Sequence, residues 1–432
     1  METAIVVFTR DLRLHDNPAL AAACTQAERV VPVFVADPTL TAISPNRTKF
    51  LRDSLAGLRQ GLLERGADLV IRHGDPVTEI MRLASETGAQ QIFIADDVSH
   101  YAARRRSRLE RDCARHRLGL TITPGPTVLP PGDLHPAAGD HYKVFTPYWR
   151  AWTSAAWRQA VPAPDVIRLP PGLRKGQIPP NAAASSSVLA PAGEVAGQQR
   201  AERWLRDSLA GYGDRHDDLA GDETSRLSAY LRFGCLSPLA LAQAAQGKPG
   251  GEEFCRQLAW RDFFYQVTAA FPDMARKDYR PRGDQWHEDK DALDAWREGR
   301  TGVPIVDAGI RQLAAEGFMH NRARMITASF LTRNLRIDWR HGYRHFGVLL
   351  ADGDVPNNAG NWQWVAGTGN NSRPNRVMNP LRQARRFDRA GAYVRRYVPE
   401  LADVDTAHIH TPWNLPPSLR RQLAYPAPII AP

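Results

Sequence analysis

Four segments in the second half of the chain place polar, charged and aromatic side chains at spacings that could do chemistry. Residues 224–228 (TSRLS) put hydroxyls and an arginine at the start of a predicted helix. Free backbone N–H groups and a guanidinium at such a place can hold a pyrophosphate. Ordinary N-capping by Thr224 or Ser225 is the alternative.

The second segment is residues 257–266 (QLAWRDFFYQ). It puts the amide of Gln257, the ring of Trp260 and the guanidinium of Arg261 within about one helical turn. Such a set could read a base edge, stack on the base and contact a phosphate. The alternative is a tryptophan packed in the core beside an Arg–Asp pair on the surface.

The third segment, residues 318–325 (FMHNRARM), predicts a helix made for burial that nevertheless carries polar groups and a soft side chain: Asn321, Arg322, Arg324 and Met325. His320 is expected to be structural, because no second histidine lies at metal-ligand spacing from it.

The fourth segment, residues 352–364 (DGDVPNNAGNWQW), predicts a loop between helices. Its two acids, Asp352 and Asp354, could bind a metal, a sugar hydroxyl or a cationic partner. Turn and cap chemistry without a ligand is the alternative, and a calcium loop would need more carboxylates.

The elements that must position these side chains fall into two classes. Up to about residue 125, apolar runs alternate with helical patterns, which predicts βαβ units and a parallel sheet. The predicted strands are Ile5–Phe8, Val30–Val35, Leu69–Ile71, Ile92–Ala95 and Leu120–Thr123. Pro32 is awkward inside the second strand, because a central strand needs its N–H. No GxGxxG follows the first strand, so the usual dinucleotide fingerprint is missing.

The composition and the periodicity of the sequence change after this region. Residues 169–193 are rich in Pro, Ala, Ser and Gly and predict a linker, and the pattern after Arg200 is helical. We therefore expect a Rossmann-like α/β domain over 1–128, a linker over 129–199 and an all-α domain over 200–432.

Composition narrows the class of function. The 432 residues are 43% hydrophobic and 24% charged, with a net charge of +10 that suits a polyanionic partner. No apolar run reaches the roughly 18 residues of a membrane helix, so no membrane partner is expected. The four cysteines lie far apart, which indicates a reducing compartment and disfavours a disulfide framework. All eleven tryptophans lie at or beyond Trp149.

Taken together and in this order, the segments resemble the photolyase/cryptochrome family. The resemblance runs from FTRDLRLHDNPAL at residues 8–20 to the YPAPII ending. The most specific pieces are GDETSRLSAYLRFGCLSP, LAWRDFFYQ, TGVPIVDAGIRQLAAEGFMHNRARMITASFLTRNLRIDW and DGDVPNNAGNWQWVAGTG. Within the family, the chain resembles the bacterial class I enzymes. The resemblance implies a carbon–carbon lyase that repairs cyclobutane pyrimidine dimers in UV-damaged DNA with blue light.

The resemblance also implies an FAD in the helical domain and assigns residues to it. The phosphate-side matches are Tyr212, Thr224, Ser225, Arg226, Leu227 and Ser228. The matches around the isoalloxazine and ribose are Arg261, Asn321, Arg324, Asp352, Asp354 and Asn358, of which Asn358 faces flavin N5. An asparagine there can accept from N5–H, whereas an acid would disfavour the anionic reduced flavin.

The implied mechanism passes an electron from excited reduced FAD to a flipped-out dimer and returns it after the ring splits. The residues that match dimer contacts are Gln257, Trp260, Asn321, Arg322, Met325 and Trp364. Three tryptophans match a photoreduction chain, with Trp362 nearest the flavin, then Trp339, then Trp286 at the surface.

An antenna chromophore is expected in the N-terminal domain. The residues that resemble a deazaflavin pocket are Arg10, Phe34, Asp37, Arg47 and Asp97. Because the Asn-Glu pair that would hold a folate is not visible near residues 96–106, 8-hydroxy-5-deazaflavin is favoured over methenyltetrahydrofolate.

The sequence departs from the family pattern at several positions. Gln257 replaces the usual class I glutamate, His216 replaces an arginine, and the loop NNSRPNRVMNP with Arg373 and Arg376 is unusual. Glutamine at 257 also occurs in (6-4) photolyases and cryptochromes, so a (6-4) photolyase or a blue-light photoreceptor is the alternative. However, (6-4) enzymes carry histidines where this chain has Asn321 and Met325. We expect a monomer in the cytoplasm, associated with the nucleoid when bound to DNA.

Overall fold

Five parallel strands form one sheet near the start of the chain, as the alternating apolar runs predicted. The computed structural model describes residues 1–41, 43–180 and 183–431 and orders these strands β3-β2-β1-β4-β5. The strands are β1 (Thr3–Val7), β2 (Arg29–Ala36), β3 (Val70–His73), β4 (Gln91–Ala95) and β5 (Gly119–Thr123). The winding reverses between β1 and β4, so their carboxyl ends flank the crevice where open α/β sheets bind ligands.

Pro32 is accommodated inside β2 by the direction in which its missing donor would point. Arg29 donates to Glu2 on the β1 side, whereas Val30 donates to Arg168 on the other side, so residue 32 also faces away from β1. Pairing of β2 with β3 begins only at Val33. The sheet therefore loses no ladder hydrogen bond at the proline.

Helices make up most of the rest of the described chain. In chain order they are α1 (Pro18–Gln26), α2 (Pro38–Thr41), α3 (Pro45–Leu63), α4 (Pro76–Thr87), α5 (His100–His116), α6 (Phe145–Ser154), α7 (Glu194–Asp207), α8 (Tyr212–Arg215), α9 (Ser228–Phe233), α10 (Pro238–Ala245), α11 (Gly251–Ala270), α12 (Lys290–Arg297), α13 (Pro304–Glu316), α14 (Asn321–Ser329), α15 (Trp339–Leu349), α16 (Val355–Ala366), α17 (Pro380–Phe387), α18 (Ala392–Tyr397) and α19 (Pro417–Gln422). A π-helical turn, Phe330–Asn334, continues α14.

The chain divides into two compact units. The first comprises Met1–Ala184, Ala190–Ala210 and Ser225–Asp273, and the second comprises Ser185–Leu189, Gly211–Thr224 and Met274–Pro432. The first unit thus holds the sheet, α1 to α7 and α9 to α11, and the second holds α8 and α12 to α19. The α/β and helical fold class is confirmed, while the domain boundaries at residues 128 and 199 stay predictions.

Each unit has its own apolar core. In the first, Ile5 and Val7 of β1 join Ile80 of α4 and Leu109 of α5 on one face of the sheet. In the second, buried tryptophans pack among the aliphatic side chains of α13 to α16. None of the helices in the described ranges combines the length and the apolar character that crossing a membrane requires.

Candidate functional site

Helix α11 of the first unit carries three of the predicted site residues on one turn. Acidic residues in its first turn, Glu252 and Glu253, favour this helix start. Gln257 is exposed, and its amide makes no hydrogen bond with the residues that the structure describes. Trp260 is half-buried and Arg261 is buried. The helix therefore presents an open amide beside a partly covered aromatic ring.

One face of the Trp260 ring is covered by Phe145 of α6. The two ring centroids lie 3.7 Å apart with an interplanar angle of 6°. Phe263 meets both rings edge-on, at 5.6 Å from Trp260 and 5.8 Å from Phe145. Because the ring is held from one side and from its edge, its orientation is fixed by packing.

Below this surface, Arg261 and Asp262 are both buried, so the alternative of a surface ion pair is wrong. Arg261 donates to the carbonyl oxygens of Pro126 and Leu231. Asp262 Oδ2 accepts from the backbone N–H groups of Val128 and Leu129 and from Trp152 Nε1, at 2.9, 3.1 and 3.0 Å.

The Asp262 carboxyl has an unusual electrostatic environment. Its second oxygen, Oδ1, is buried with no hydrogen-bond partner among the described residues. Burial raises the pKa of Asp262 to about 6, against the lowering influence of Arg261 and of the hydrogen-bond donors. The carboxyl thus holds α11 against residues 128–129 and against α6.

The predicted phosphate segment begins a helix but is not an ordinary cap. Helix α9 starts at Ser228, and its N-cap residue, Leu227, makes no side-chain cap hydrogen bond. Arg226 adopts a left-handed backbone with φ of 52°, which is uncommon for a residue with a side chain. In the second unit, Thr224 Oγ1 is buried without a hydrogen-bond partner among the described residues, and Tyr212 is buried.

The acidic segment predicted as a loop is mostly helix, so that prediction is wrong. Asp354 caps α16 by accepting from the backbone N–H of Asn357 at 2.8 Å, and Pro356 lies in the first turn. Because these two residues start α16 at Val355, Asn358 lies within a helix and not in a loop.

Two side chains of this region have defined partners in the second unit. Arg324 forms a two-point ion pair with Asp352, with N–O distances of 3.1 and 2.7 Å. Asn358 donates from Nδ2 to the carbonyl oxygen of Tyr343 at 3.1 Å. This bond fixes which end of the Asn358 amide is nitrogen and leaves Oδ1 as the acceptor without a described partner.

The predicted dimer-side residues of α14 begin the helix. His320 is its N-cap, and its Nδ1 accepts from the backbone N–H of Arg322 at 3.1 Å, which fits the expected structural role. The Arg322 guanidinium is bound at two points to Asp217, at 3.1 and 2.5 Å. Asn321 and Met325 lie one turn apart, 3.9 Å from Nδ2 to Sδ.

The predicted tryptophan chain lies in the second unit. Trp339 and Trp362 are buried and Trp286 is partly buried. No two of the three are in ring contact within the described chain, but Trp362 and helix α15 touch closely. A Cβ at Gly342, one turn after Trp339, would lie 2.0 Å from Trp362 Cη2. The half-buried Trp364 is on α16, and its carbonyl oxygen accepts from Asn371 at 3.0 Å.

All five residues predicted for an antenna lie in the first unit, and all but Arg47 lie near the carboxyl ends of β1, β2 and β4. Arg10 forms an ion pair with Asp97 across the β1–β4 crevice at 3.4 Å and donates to Tyr265 Oη at 2.5 Å. Asp37 accepts from Tyr101 Oη at 2.6 Å. Phe34 is buried at the end of β2, and Arg47 lies in the first turn of α3.

Sequence reasoning missed several partners of these residues. Phe145 belongs to an aromatic stripe with Tyr148, Trp149 and Trp152, whose helical spacing was a readable signal for a face packed against another helix. Asp278, which accepts from Trp339 Nε1, carried no such signal. In the described ranges, no group of three or more His, Cys, Asp or Glu side chains is arranged to hold a metal ion.

Comparisons with known proteins cover the whole chain. A family model described as the FAD binding domain of DNA photolyase matches residues 254–432, and one described as DNA photolyase matches residues 4–165. A deoxyribodipyrimidine photo-lyase of Streptomyces griseus is 50% identical, over 100% of this chain and 96% of that protein. The protein of the same name from Escherichia coli is 35% identical, over 100% of this chain and 96% of its own.

Solved structures agree with these relatives. A bacterial class III photolyase from Agrobacterium tumefaciens superposes with a TM-score of 0.94 at 32% identity, covering 100% of this chain and 95% of the other. A cryptochrome from Synechocystis superposes with a TM-score of 0.93 at 29% identity, covering 100% of this chain and 97% of the other.

Proposed function

Because this chain belongs to the photolyase/cryptochrome family, we propose that it is a light-driven carbon–carbon lyase that splits cyclobutane pyrimidine dimers in DNA. The observation that carries the proposal is the surface of α11, where the exposed Gln257 amide lies one turn before a Trp260 ring whose other face is covered by Phe145. Such a surface can stack on a flipped-out pyrimidine dimer and hydrogen-bond to its edge. The +10 net charge supports binding to the phosphates of the damaged strand.

The lesion-side residues have different parts in this proposal. Trp260 and Trp364 stack on the dimer, and Gln257 and Asn321 donate or accept hydrogen bonds at its polar edges. Met325 supplies a polarizable apolar contact. Arg322 is the remaining dimer-side contact, and its pair with Asp217 fixes the orientation of its guanidinium.

FAD fits the polar groups that the chain offers. Thr224 Oγ1, buried without a described partner, is a donor for a phosphate, and Ser225 to Ser228 supply further hydroxyl and N–H groups around the left-handed turn at Arg226. Arg261, Asn321 and Asp354 complete the predicted set. When bound in its reduced form, FAD supplies the light-excited electron that splits the dimer.

On the isoalloxazine side, the chain would offer the flavin a hydrogen-bond acceptor and a fixed pair of opposite charges. Asn358 Oδ1 is an open acceptor suited to a flavin N–H, and the neutral amide adds no negative charge. The Arg324–Asp352 pair supplies fixed opposite charges that orient polar groups of the cofactor. Trp362, Trp339 and Trp286 would act as a chain of oxidisable side chains that returns electrons to the site from the surface.

An antenna is the second cofactor in the proposal, with 8-hydroxy-5-deazaflavin favoured over methenyltetrahydrofolate. The support is the position of Arg10 and Asp97 at the reversal of strand order, the usual ligand crevice of such sheets. The test is to load the protein with each chromophore in turn. Retention of the deazaflavin, and its loss in the variant Arg10→Ala, is expected; retention of the folate alone would contradict the proposal.

A (6-4) photolyase or a blue-light photoreceptor is the second candidate. The observation that favours it is Gln257, an amide where a carboxyl is usual in class I enzymes, together with the likeness to a cryptochrome. Against (6-4) repair, Asn321 and Met325 offer no proton donor of the histidine kind.

The experiment that separates these functions uses three duplexes that carry a thymine dimer, a (6-4) product or no lesion. The FAD-loaded, reduced protein is illuminated with each. Repair of the thymine dimer alone is expected; repair of the (6-4) product alone, or of neither, would contradict the proposal.

Sedimentation of the purified protein tests the expected monomer. The location of the protein in cells tests the proposed association with the nucleoid in the cytoplasm.

A further inference from the structure

Trp339 is the fully buried member of the predicted tryptophan chain, and a carboxylate holds its indole N–H. Its exposed fraction is 0%, so the indole has no direct contact with water. Nε1 donates to Asp278 Oδ1 at 2.9 Å. The side chain of Asp278 is 20% exposed, so it connects the buried indole with solvent.

A guanidinium lies against both groups. Arg340 donates to Asp278 Oδ1 at 2.8 Å, and its Cζ lies 4.7 Å from the centroid of the Trp339 ring. The same guanidinium is anchored to Asp338 by two contacts of 3.1 Å. A positive charge over the ring face stabilises neutral indole and opposes a positive charge on the same ring.

These contacts bear on what happens when Trp339 loses an electron. A tryptophan cation radical is a far stronger acid than indole, and here its acidic proton already lies in a hydrogen bond to a carboxylate. Arg340 disfavours the cation, whereas loss of the proton removes the positive charge from the ring. The surroundings of Trp339 therefore favour the neutral radical.

We propose that Asp278 accepts the Nε1 proton of Trp339 when this tryptophan is oxidised, which makes the chain proton-coupled at its middle member; this inference rests on the proposed light-driven function. In the step, one electron passes from Trp339 to the cation radical of Trp362, which becomes neutral indole again. The Nε1–H bond of Trp339 breaks, and the proton forms an O–H bond with Asp278 Oδ1. The products are a neutral Trp339 radical and a neutral Asp278 carboxylic acid, so charge and electrons balance.

The step has a consequence for where the oxidising equivalent rests. Trp286 makes no hydrogen bond with the described residues, so no carboxylate receives its proton. A neutral radical at Trp339 cannot return to the cation without recovering its proton from Asp278. The neutral radical is therefore held at Trp339, the middle member of the chain, and charge recombination is slowed there.

The test uses the FAD-loaded protein with Trp286→Phe, so that the chain ends at Trp339. After a blue flash, transient absorption distinguishes tryptophan cation radicals from neutral radicals by their visible bands, in H₂O and in D₂O. The variant Asp278→Asn keeps the size and an acceptor oxygen but cannot take a proton. The matched control Asp338→Asn removes the other carboxylate on Arg340. Among the described residues, the Asp338 side chain is hydrogen-bonded to Arg340 and to no tryptophan, and asparagine keeps a good helix cap.

In the parent protein of this series, which carries only Trp286→Phe, we expect a neutral Trp339 radical that forms more slowly in D₂O than in H₂O. Asp278→Asn should leave the cation radical, with a lifetime several-fold shorter and no isotope effect, while Asp338→Asn behaves as the parent and Asp278→Glu restores deprotonation. Equal conversion of cation to neutral radical in the parent and in Asp278→Asn would overturn the inference alone. Absence of any tryptophan radical in the parent would instead refute the light-driven chain, and this inference with it.

Discussion

The buried carboxyl of Asp262 offers a quantitative test of how helix α11 is held in place. Its pKa is about 6 in the folded protein against 3.8 for an ordinary aspartate, because burial disfavours the charged form. The difference is about two pH units, or about 3 kcal/mol at 1.36 kcal/mol per unit. Asp262→Asn removes this titration while keeping an oxygen for the backbone N–H groups of residues 128 and 129.

The sign of the effect follows from which state loses its proton first. Below pH 3.8 the folded and the unfolded protein both keep the proton, and the stabilising difference is complete. As the pH rises towards 6, only the unfolded state releases the proton, so the free energy of unfolding falls. Above pH 6 both states are ionised and the loss is complete.

Urea unfolding, followed by tryptophan fluorescence at a series of pH values from below pH 3.8 to neutrality, measures this effect. The difference in unfolding free energy, wild type minus Asp262→Asn, should fall by about 3 kcal/mol across the range. Other titrating groups are common to both proteins and cancel in the difference. Parallel stability curves for the two proteins would refute the account of a buried, ionisable anchor under α11.

Three further outcomes are expected. Gln257→Glu should raise the quantum yield of dimer splitting, because a carboxyl can share a proton with the dimer radical anion; an unchanged or lower yield in a photon-counted repair assay counts against this. Phe145→Ala should destabilise the protein by about 3 kcal/mol in urea unfolding and weaken dimer binding by freeing the Trp260 ring, and an unaltered Kd for the lesion would show that the stack does not position Trp260. Asp352→Asn should lower the ratio of FAD to protein after purification, because the partner charge of Arg324 is lost; absorption spectra that show full loading would contradict this.

Much of the fold followed from periodicity alone. Apolar runs separated by helical patterns predicted the parallel sheet, and all five predicted strands exist with boundaries shifted by no more than two residues. Pro32 was the one conflict, and it disappears because the neighbouring strand starts later than the proline. Whether a proline disrupts a strand depends on where the neighbouring strand begins, and the proline's own position does not show this.

The local structure of the site was harder to predict. Residues 352–364 have the glycines and asparagines typical of a loop, yet Asp354 and Pro356 start a helix there, because a capping side chain and a proline in the first turn outweigh low helix propensity. Contacts between segments distant in sequence, such as Phe145 on Trp260 and Asp278 on Trp339, depend on tertiary packing. Spacing along one helix carries no information about them.

The most direct test of the central claim is repair of a single thymine dimer in a defined oligonucleotide by the reduced, FAD-loaded protein. The strand is incubated in blue light and in the dark, and restored thymines are quantified by chromatography. A Trp260→Ala variant serves as the matched protein with its stacking surface removed. We expect light-dependent loss of the dimer with the unmodified protein, no loss in the dark and strongly reduced loss with the variant. A dimer that persists under light with FAD bound would contradict the proposed repair function.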